Sequence, residues 1–265
     1  MVVSYIKTMR LPVSLLAFVL VLTSGKLAFG KFESGLLLGF TVCLISIATM
    51  AQNDLRDREH DILDNRVFVS QNYMAFKRFV IVCWLSALTV SLLLIWQDYR
   101  LFLLTVVLAA IGLVYSECRQ IPYLPNALVA LAVSLPTLYP VLTGCQSPWP
   151  WLLFLATLFG VYGREILKDF DHKDIDWGYK WTLIQKFGEN GAILLSIGCF
   201  ILSTAFALSL LICLCKVWLI FMFIPLKPTL SLLMNNEPEA KVISEAKLMM
   251  DIGMAVFLLL LLFFS

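Results

Sequence analysis

Charge is what this sequence has least of. Only 14% of its 265 residues are Asp, Glu, Lys or Arg, while 60% are hydrophobic; a soluble domain carries roughly 25% charged residues. The deficit is uneven, with charges gathered in a few short segments and almost absent between them. Apolar/polar alternation is missing too, which argues against barrel strands. No low-complexity tract or soluble domain stands out. The seven cysteines form no C-x-x-C and no His/Cys pairing at metal spacing, which excludes the usual zinc and dithiol patterns. Most of them (Cys43, Cys83, Cys118, Cys145, Cys199, Cys213 and Cys215) lie in apolar runs, where cysteine behaves as a small hydrophobe. A net charge of +2 gives no sign of a nucleic-acid partner.

What is there is a series of long apolar runs. A bilayer span needs roughly 20 mostly apolar residues, and backbone facing lipid must satisfy its own hydrogen bonds, so the runs read as helices. Nine spans are expected, near 11–30, 34–52, 79–96, 100–117, 124–143, 149–165, 190–214, 217–234 and 248–264. The fold class is therefore all-α, a polytopic bundle forming one membrane-embedded domain over 1–265. Lys227 and Pro228 interrupt the eighth run. Lys7 and Arg10 precede the first run without a small-residue cleavage site before Lys26, so that run reads as a retained helix. The prolines include Pro12, Pro122, Pro125, Pro136 and Pro140, and those within spans are expected to kink helices and open a cavity.

Orientation follows from Lys and Arg placement. With the N-terminus in the cytoplasm, sixteen of the 20 basic residues fall inside; only Lys26, Lys31, Arg100 and Lys216 fall outside. The long loops 53–78 and 164–189 are then both cytoplasmic. Both follow an even-numbered helix, open with acidic residues and lie four helices apart, which hints at an internal duplication.

The first loop begins Asn53-Asp54-Leu55-Arg56-Asp57-Arg58-Glu59-His60-Asp61. If the second helix continues through it, Asn53, Asp57 and Asp61 stack at four-residue steps on one face. Such hard oxygen donors suit Mg²⁺, whose shell is completed by water and phosphate oxygens. Asp54 points about 100° away and supports the site or faces the opposite loop. A mixed-charge run is usually a solvated loop, but three oxygen donors in register at the mouth of a membrane helix are costly unless paired or metal-bound. The second loop carries Arg164-Glu165-Ile166-Leu167-Lys168-Asp169-Phe170-Asp171-His172-Lys173-Asp174-Ile175-Asp176. Arg164, Lys168 and Asp171 or His172 share a helical face. Two acidic clusters across a cavity can hold two Mg²⁺ ions and a diphosphate between them. Tyr115 and Arg119, four apart where the fourth span closes, are either an interfacial anchor or a bidentate phosphate donor. His60 and His172 are interfacial polar residues or proton acceptors.

Taken together the motifs resemble those of the UbiA superfamily of intramembrane prenyltransferases. Asn53-Asp54-x-x-Asp57-x-x-x-Asp61 is similar to its first signature, Asn65-Arg66 to its Asn-Arg, and Tyr115-x-x-x-Arg119 to its Tyr-x-x-x-Lys. Arg164-Glu165-x-x-Lys168-Asp169 with Gly178-x-Lys180-x-Thr182-Leu183 resembles the second signature, and the likeness runs from Arg10-Leu11-Pro12 to the final helix. Tyr115-Ser116 with Asn126, the Arg-Glu-Ile-Leu-Lys-Asp run and the Lys-rich stretch before the last helix lean toward the digeranylgeranylglyceryl phosphate synthase branch. The resemblance implies a central cavity open to lipid, a cytoplasmic cap, two Mg²⁺ ions, an isoprenyl diphosphate donor and a lipophilic acceptor such as an aromatic ring or ether-lipid alcohol. It implies Asn53, Asp57, Asp61, Asp171 and Asp174 as metal ligands, the four aspartates being catalytic. Arg10, Asp54, Arg66, Tyr115, Arg119, Asn126, Arg164 and Lys168 would meet substrate. Two departures stand out: Phe170 occupies the partner position to Asp174, and Val67-Phe68-Val69-Ser70-Gln71 replaces the family's Pro-x-Pro-Ser-Gly.

The chemistry is consistent with a membrane setting. An allylic diphosphate ionises when cations stabilise its leaving group, and the resulting carbocation needs a dry apolar cavity. The divergent loop also allows phosphoribosyl transfer to a polyprenyl phosphate, or cyclisation without an acceptor. A transporter is the alternative of another class, although the ionisable groups lie at helix ends and not at mid-membrane.

Overall fold

The computed structural model describes residues 10–59, 68–115, 117–118, 121–172, 181–214 and 240–264. Every regular element among them is helical. The long helices are α1 (Leu11–Phe29), α2 (Leu36–Arg56), α3 (Tyr73–Gln97), α4 (Tyr99–Tyr115), α5 (Leu124–Ser134), α6 (Trp149–Lys168), α7 (Leu183–Cys213) and α8 (Ala240–Phe264). They coincide with eight of the nine expected spans; the remaining one, 217–234, lies outside the described residues. Five segments are long and apolar enough to cross a membrane: Glu33–Arg56, Tyr73–Gln97, Leu124–Leu142, Trp149–Lys168 and Leu183–Cys213. The chain is an integral membrane protein.

The helices group into two compact units, Met1–Glu117 with Tyr139–Cys145, and Cys118–Leu138 with Gln146–Ser265. In the first unit α2 packs against α1, α3 and α4. Ser14 and Ser46 join hydroxyls across α1 and α2 at 3.0 Å. On α3, Phe76, Val80, Ala87, Ser91 and Leu94 turn inward at helical spacing, while Ile81, Val82, Leu85, Leu88 and Leu92 are exposed. An exposed apolar face of this length suits lipid, which offers backbone and polar groups no hydrogen bonds. The divergent segment after residue 67 forms a one-turn helix, Phe68–Gln71. Without the family's prolines and glycine, nothing bars it from helical geometry. Its Val69 is buried with Ala51, Phe76 and Val80.

In the second unit α6 is the central helix, packing on α5, α7 and α8. Its contact with α7 is built from small residues. The Ser196 hydroxyl donates to the Gly163 carbonyl at 2.9 Å, and that of Ser203 to the Ala156 carbonyl at 2.7 Å. Small residues let membrane helices approach and hydrogen-bond across the seam. A Cβ on Gly163 would sit 3.0 Å from the Phe200 ring. Gly163→Leu is therefore expected to destabilise the purified protein by about 1–3 kcal/mol, the usual scale of overpacking, measured as a fall in Tm in detergent.

Two of the prolines act differently from expectation. Pro12 and Pro125 stand in the first turns of α1 and α5, where the missing N–H has no helical partner. Pro136 lies in the 3₁₀ turn Leu135–Leu138 that ends α5. Each of these two helices follows a non-glycine residue with positive φ, Arg10 (45°) and Tyr123 (66°), in the same X-Leu-Pro context.

Candidate active site

The first acidic motif sits at the end of α2. The helix stops at Arg56, and Asp57 caps it, its N–H donating to the Asn53 carbonyl at 2.9 Å. The four-residue step survives this ending: the Asn53 amide donates to Asp57 Oδ2 at 2.8 Å. The expected continuation of one helix to Asp61 does not hold through Asp57, and Asp61 itself lies outside the described residues, as do His60 and Arg66. Asp54 is buried and accepts from Arg10 Nη2 at 3.0 Å. Arg10 and Asp54, both expected to meet substrate, are thus partners of one another. Arg10→Ala would take one partner from a buried carboxylate; removing one partner of such a pair costs about 3–5 kcal/mol when the pair is fully buried. Arg10 is partly exposed, so a loss of about 2 kcal/mol is expected, read as a lower Tm that Arg10→Ala/Asp54→Ala partly restores.

Further contacts hold the motif's surroundings. Arg56 pairs with Glu117, tying the ends of α2 and α4 together beyond Tyr115, the last residue of α4. The Ser70 hydroxyl donates to the Arg58 carbonyl at 2.9 Å, and the Arg58 guanidinium lies 4.9 Å from the Tyr73 ring centre. The Trp84 indole donates to Gln52 at 2.7 Å. Arg119 lies outside the described residues.

The second motif crosses the end of α6 into a 3₁₀ turn, Asp169–His172. Asn126 of α5 donates its amide to Asp169 Oδ2 at 2.9 Å, so Asn126 holds an aspartate of the motif. The two units repeat one device: a residue at the start of one helix grips an aspartate 44 or 43 positions later. Asp171 is placed by its backbone in the 3₁₀ turn; Asp174 and Asp176 lie outside the described residues.

The most buried charge among the described residues of the second unit belongs to the second motif but was given no role in the site. Glu165 is 6% exposed. It pairs with Arg164 on one side and accepts from Lys168 Nζ at 3.1 Å on the other. Arg164 also reaches Asp251 of α8, donating from Nε at 3.0 Å and from Nη2 at 3.2 Å. Asp251 was not expected in the site. The signal for it was present: a lone carboxylate inside an otherwise apolar run is expensive and marks a paired or functional group.

Among the described residues no group of three or more His, Cys, Asp or Glu side chains stands close enough to hold a metal. Asn53 and Asp57 nonetheless offer an amide and a carboxylate side by side at a helix end. That fits Mg²⁺, which commonly takes one or two protein carboxylates and fills its shell with water and phosphate oxygens.

The apolar helices and the acidic and cationic helix ends together define a polytopic helical membrane protein with oxygen-rich polar sites at its helix ends. The family model for the UbiA prenyltransferase family matches residues 11–236, and the chain belongs to that family; it is a prenyltransferase. The match stops before α8, short of the likeness to the final helix expected from sequence. No curated protein matches the chain by sequence. Two solved structures share its fold. One, from work on digeranylgeranylglyceryl phosphate synthase in membranes, is 21% identical with a TM-score of 0.71, over 99% of this chain and 97% of that one. The other, an apo UbiA homolog from Aeropyrum pernix K1, is 15% identical with a TM-score of 0.71, over 95% of this chain and 98% of that one.

Proposed function

We propose that this prenyltransferase uses Mg²⁺ to move an isoprenyl group from an isoprenyl diphosphate to a lipophilic acceptor, with both acidic motifs at the cytoplasmic surface and the whole of 1–265 acting as one membrane domain. The observation that carries it is the Asn53–Asp57 pair at 2.8 Å on the end of a membrane helix. Family membership supports prenyl transfer as the reaction; an amide and a carboxylate side by side at that helix end support the metal.

Asn53 and Asp57 would hold Mg²⁺ from the first motif, with Asp61, Asp171 and Asp174 as the further ligands of two ions. Bound there, Mg²⁺ would neutralise charge on the diphosphate as it leaves. Arg10 and Asp54 brace the α2 end, so that Asn53 and Asp57 keep their place. Lys168, Arg66 and Arg119 would contact diphosphate oxygens, and Tyr115 would lie against the prenyl chain near its head. The bond between C1 and the diphosphate oxygen breaks with both electrons leaving on oxygen. The acceptor atom bonds to C1 and its proton passes to solvent. Apolar helices keep water from the allylic cation meanwhile. The ether-lipid branch is the preferred acceptor class, on the Arg-Glu-Ile-Leu-Lys-Asp run and the position of Asn126.

The test supplies purified protein with labelled prenyl diphosphates, with and without glyceryl-phosphate ether and aromatic acceptors, and identifies products by mass spectrometry. Transfer to an ether-lipid alcohol, dependent on Mg²⁺, is the expected result. Cyclised product without acceptor, or phosphoribosylated lipid, would replace the reading with another reaction of the same fold.

A further inference from the structure

Four charged groups form a chain across two helices of the second unit. Asp251 of α8 takes Arg164 by its Nε–Nη2 edge at 3.0 and 3.2 Å. Arg164 pairs through Nη1 with Glu165, and Glu165 Oε2 accepts from Lys168 Nζ at 3.1 Å. Arg164 is 22% exposed and Glu165 8% at the side chain, against 31% for Lys168. The bidentate edge of Arg164, the part of a guanidinium best shaped for phosphate, therefore faces a protein carboxylate. Its charge is balanced within the protein, and Lys168 is the more exposed cation of the pair. The docking of α8 that places Asp251 is itself firm: Ile243 and Ala246 are buried against Leu167, Ile193, Ile197 and Phe200.

We infer that Asp251 is a positioning residue for diphosphate binding: through Arg164 and Glu165 it fixes Lys168, and Arg164 serves as a structural link, not as a substrate contact. Asp251 lies beyond residue 236, where the family match ends. The role of Lys168 rests on the prenyl-transfer reading above. Removing the Asp251 charge frees Arg164 to swing onto Glu165 alone, and Glu165 then loses its fixed hold on Lys168.

The test measures KM and kcat for prenyl diphosphate, and binding of inorganic diphosphate with Mg²⁺, in the full-length protein in detergent. Asp251→Asn is expected to raise KM about tenfold, the scale of one misplaced charged hydrogen bond, and to weaken inorganic diphosphate binding by the same factor. Asp251→Glu should recover most of the loss. In a Lys168→Ala background Asp251→Asn should add almost nothing, because both changes act on one cation. If Asp251 only tied α8 in place, Tm would fall while KM stayed within about twofold of wild type and the two substitutions added independently; that result overturns the inference alone. Should Asp251→Asn fail to fold, Arg164→Lys, which keeps the charge but loses the fork, enters the same cycle with the same criteria. A wild-type protein that neither transfers prenyl groups nor binds diphosphate overturns the functional reading, and the inference with it.

Discussion

Asp57→Ala is expected to lower kcat for Mg²⁺-dependent diphosphate release by on the order of 10²–10³, the scale of removing one group that stabilises leaving-group charge. Membrane insertion should be unaffected. Asp57 caps α2 through its backbone N–H, and that bond to the Asn53 carbonyl at 2.9 Å does not need the side chain. What alanine removes is the carboxylate that Asn53 faces at 2.8 Å. Asp61→Ala should behave alike, and Asp57→Asn should retain the fold with an activity close to that of alanine, since the charge recruits the cation. The assay follows diphosphate released from a prenyl diphosphate at several Mg²⁺ concentrations. A variant with wild-type activity would remove Asp57 from the site.

Glu165→Ala is expected to have the largest effect on stability. The carboxylate is almost fully buried and has a cation on each side, Arg164 and Lys168. Burying charge is tolerable only when it is paired and hydrogen-bonded, and breaking such an arrangement from one side costs about 3–5 kcal/mol. Arg164 would keep Asp251, but Lys168 would lose the partner seen here. Glu165→Gln keeps shape and one acceptor and should cost less, roughly half as much. The measurement is thermal unfolding in detergent, followed by size-exclusion chromatography. Equal Tm values for wild type and Glu165→Ala would show that the pair is screened by solvent and contributes little.

Much of the fold can be read from hydropathy because a bilayer imposes one length on each apolar run. The expected starts at 79, 190 and 248 fall short of the helices, which begin at Tyr73, Leu183 and Ala240. The reason is the same each time. Lys77 and Arg78, Lys186 and Glu189, and Glu245 and Lys247 belong to helix that continues past the apolar stretch. Hydropathy records where lipid ends, not where hydrogen bonding ends. In α7 the start is also marked by Gly188, whose φ of 74° and ψ of 169° break the helix two residues before the expected boundary; glycine adopts that conformation without a Cβ clash.

The candidate site was legible where geometry is local. A four-residue step on a helix end predicts the Asn53–Asp57 contact, because side chains so spaced share a face. Contacts between helices were not legible. Nothing in the spacing of Arg10 and Asp54, or of Asn126 and Asp169, says that they meet. Arg10, Asp54 and Asn126 are expected from sequence to touch substrate because polar groups near a membrane helix end look alike whether they face a ligand or each other. Arg164 and Asp251, 87 positions apart, are the extreme case. The transporter alternative loses its ground with the family match over 11–236.

Binding of inorganic diphosphate to the detergent-solubilised protein, titrated against Mg²⁺, tests the central claim most directly. Saturable binding that requires Mg²⁺ in wild type and disappears in both Asp57→Ala and Asp174→Ala is the result that the proposed function predicts. Equal affinity in the presence of a chelator, or in either variant, would contradict it.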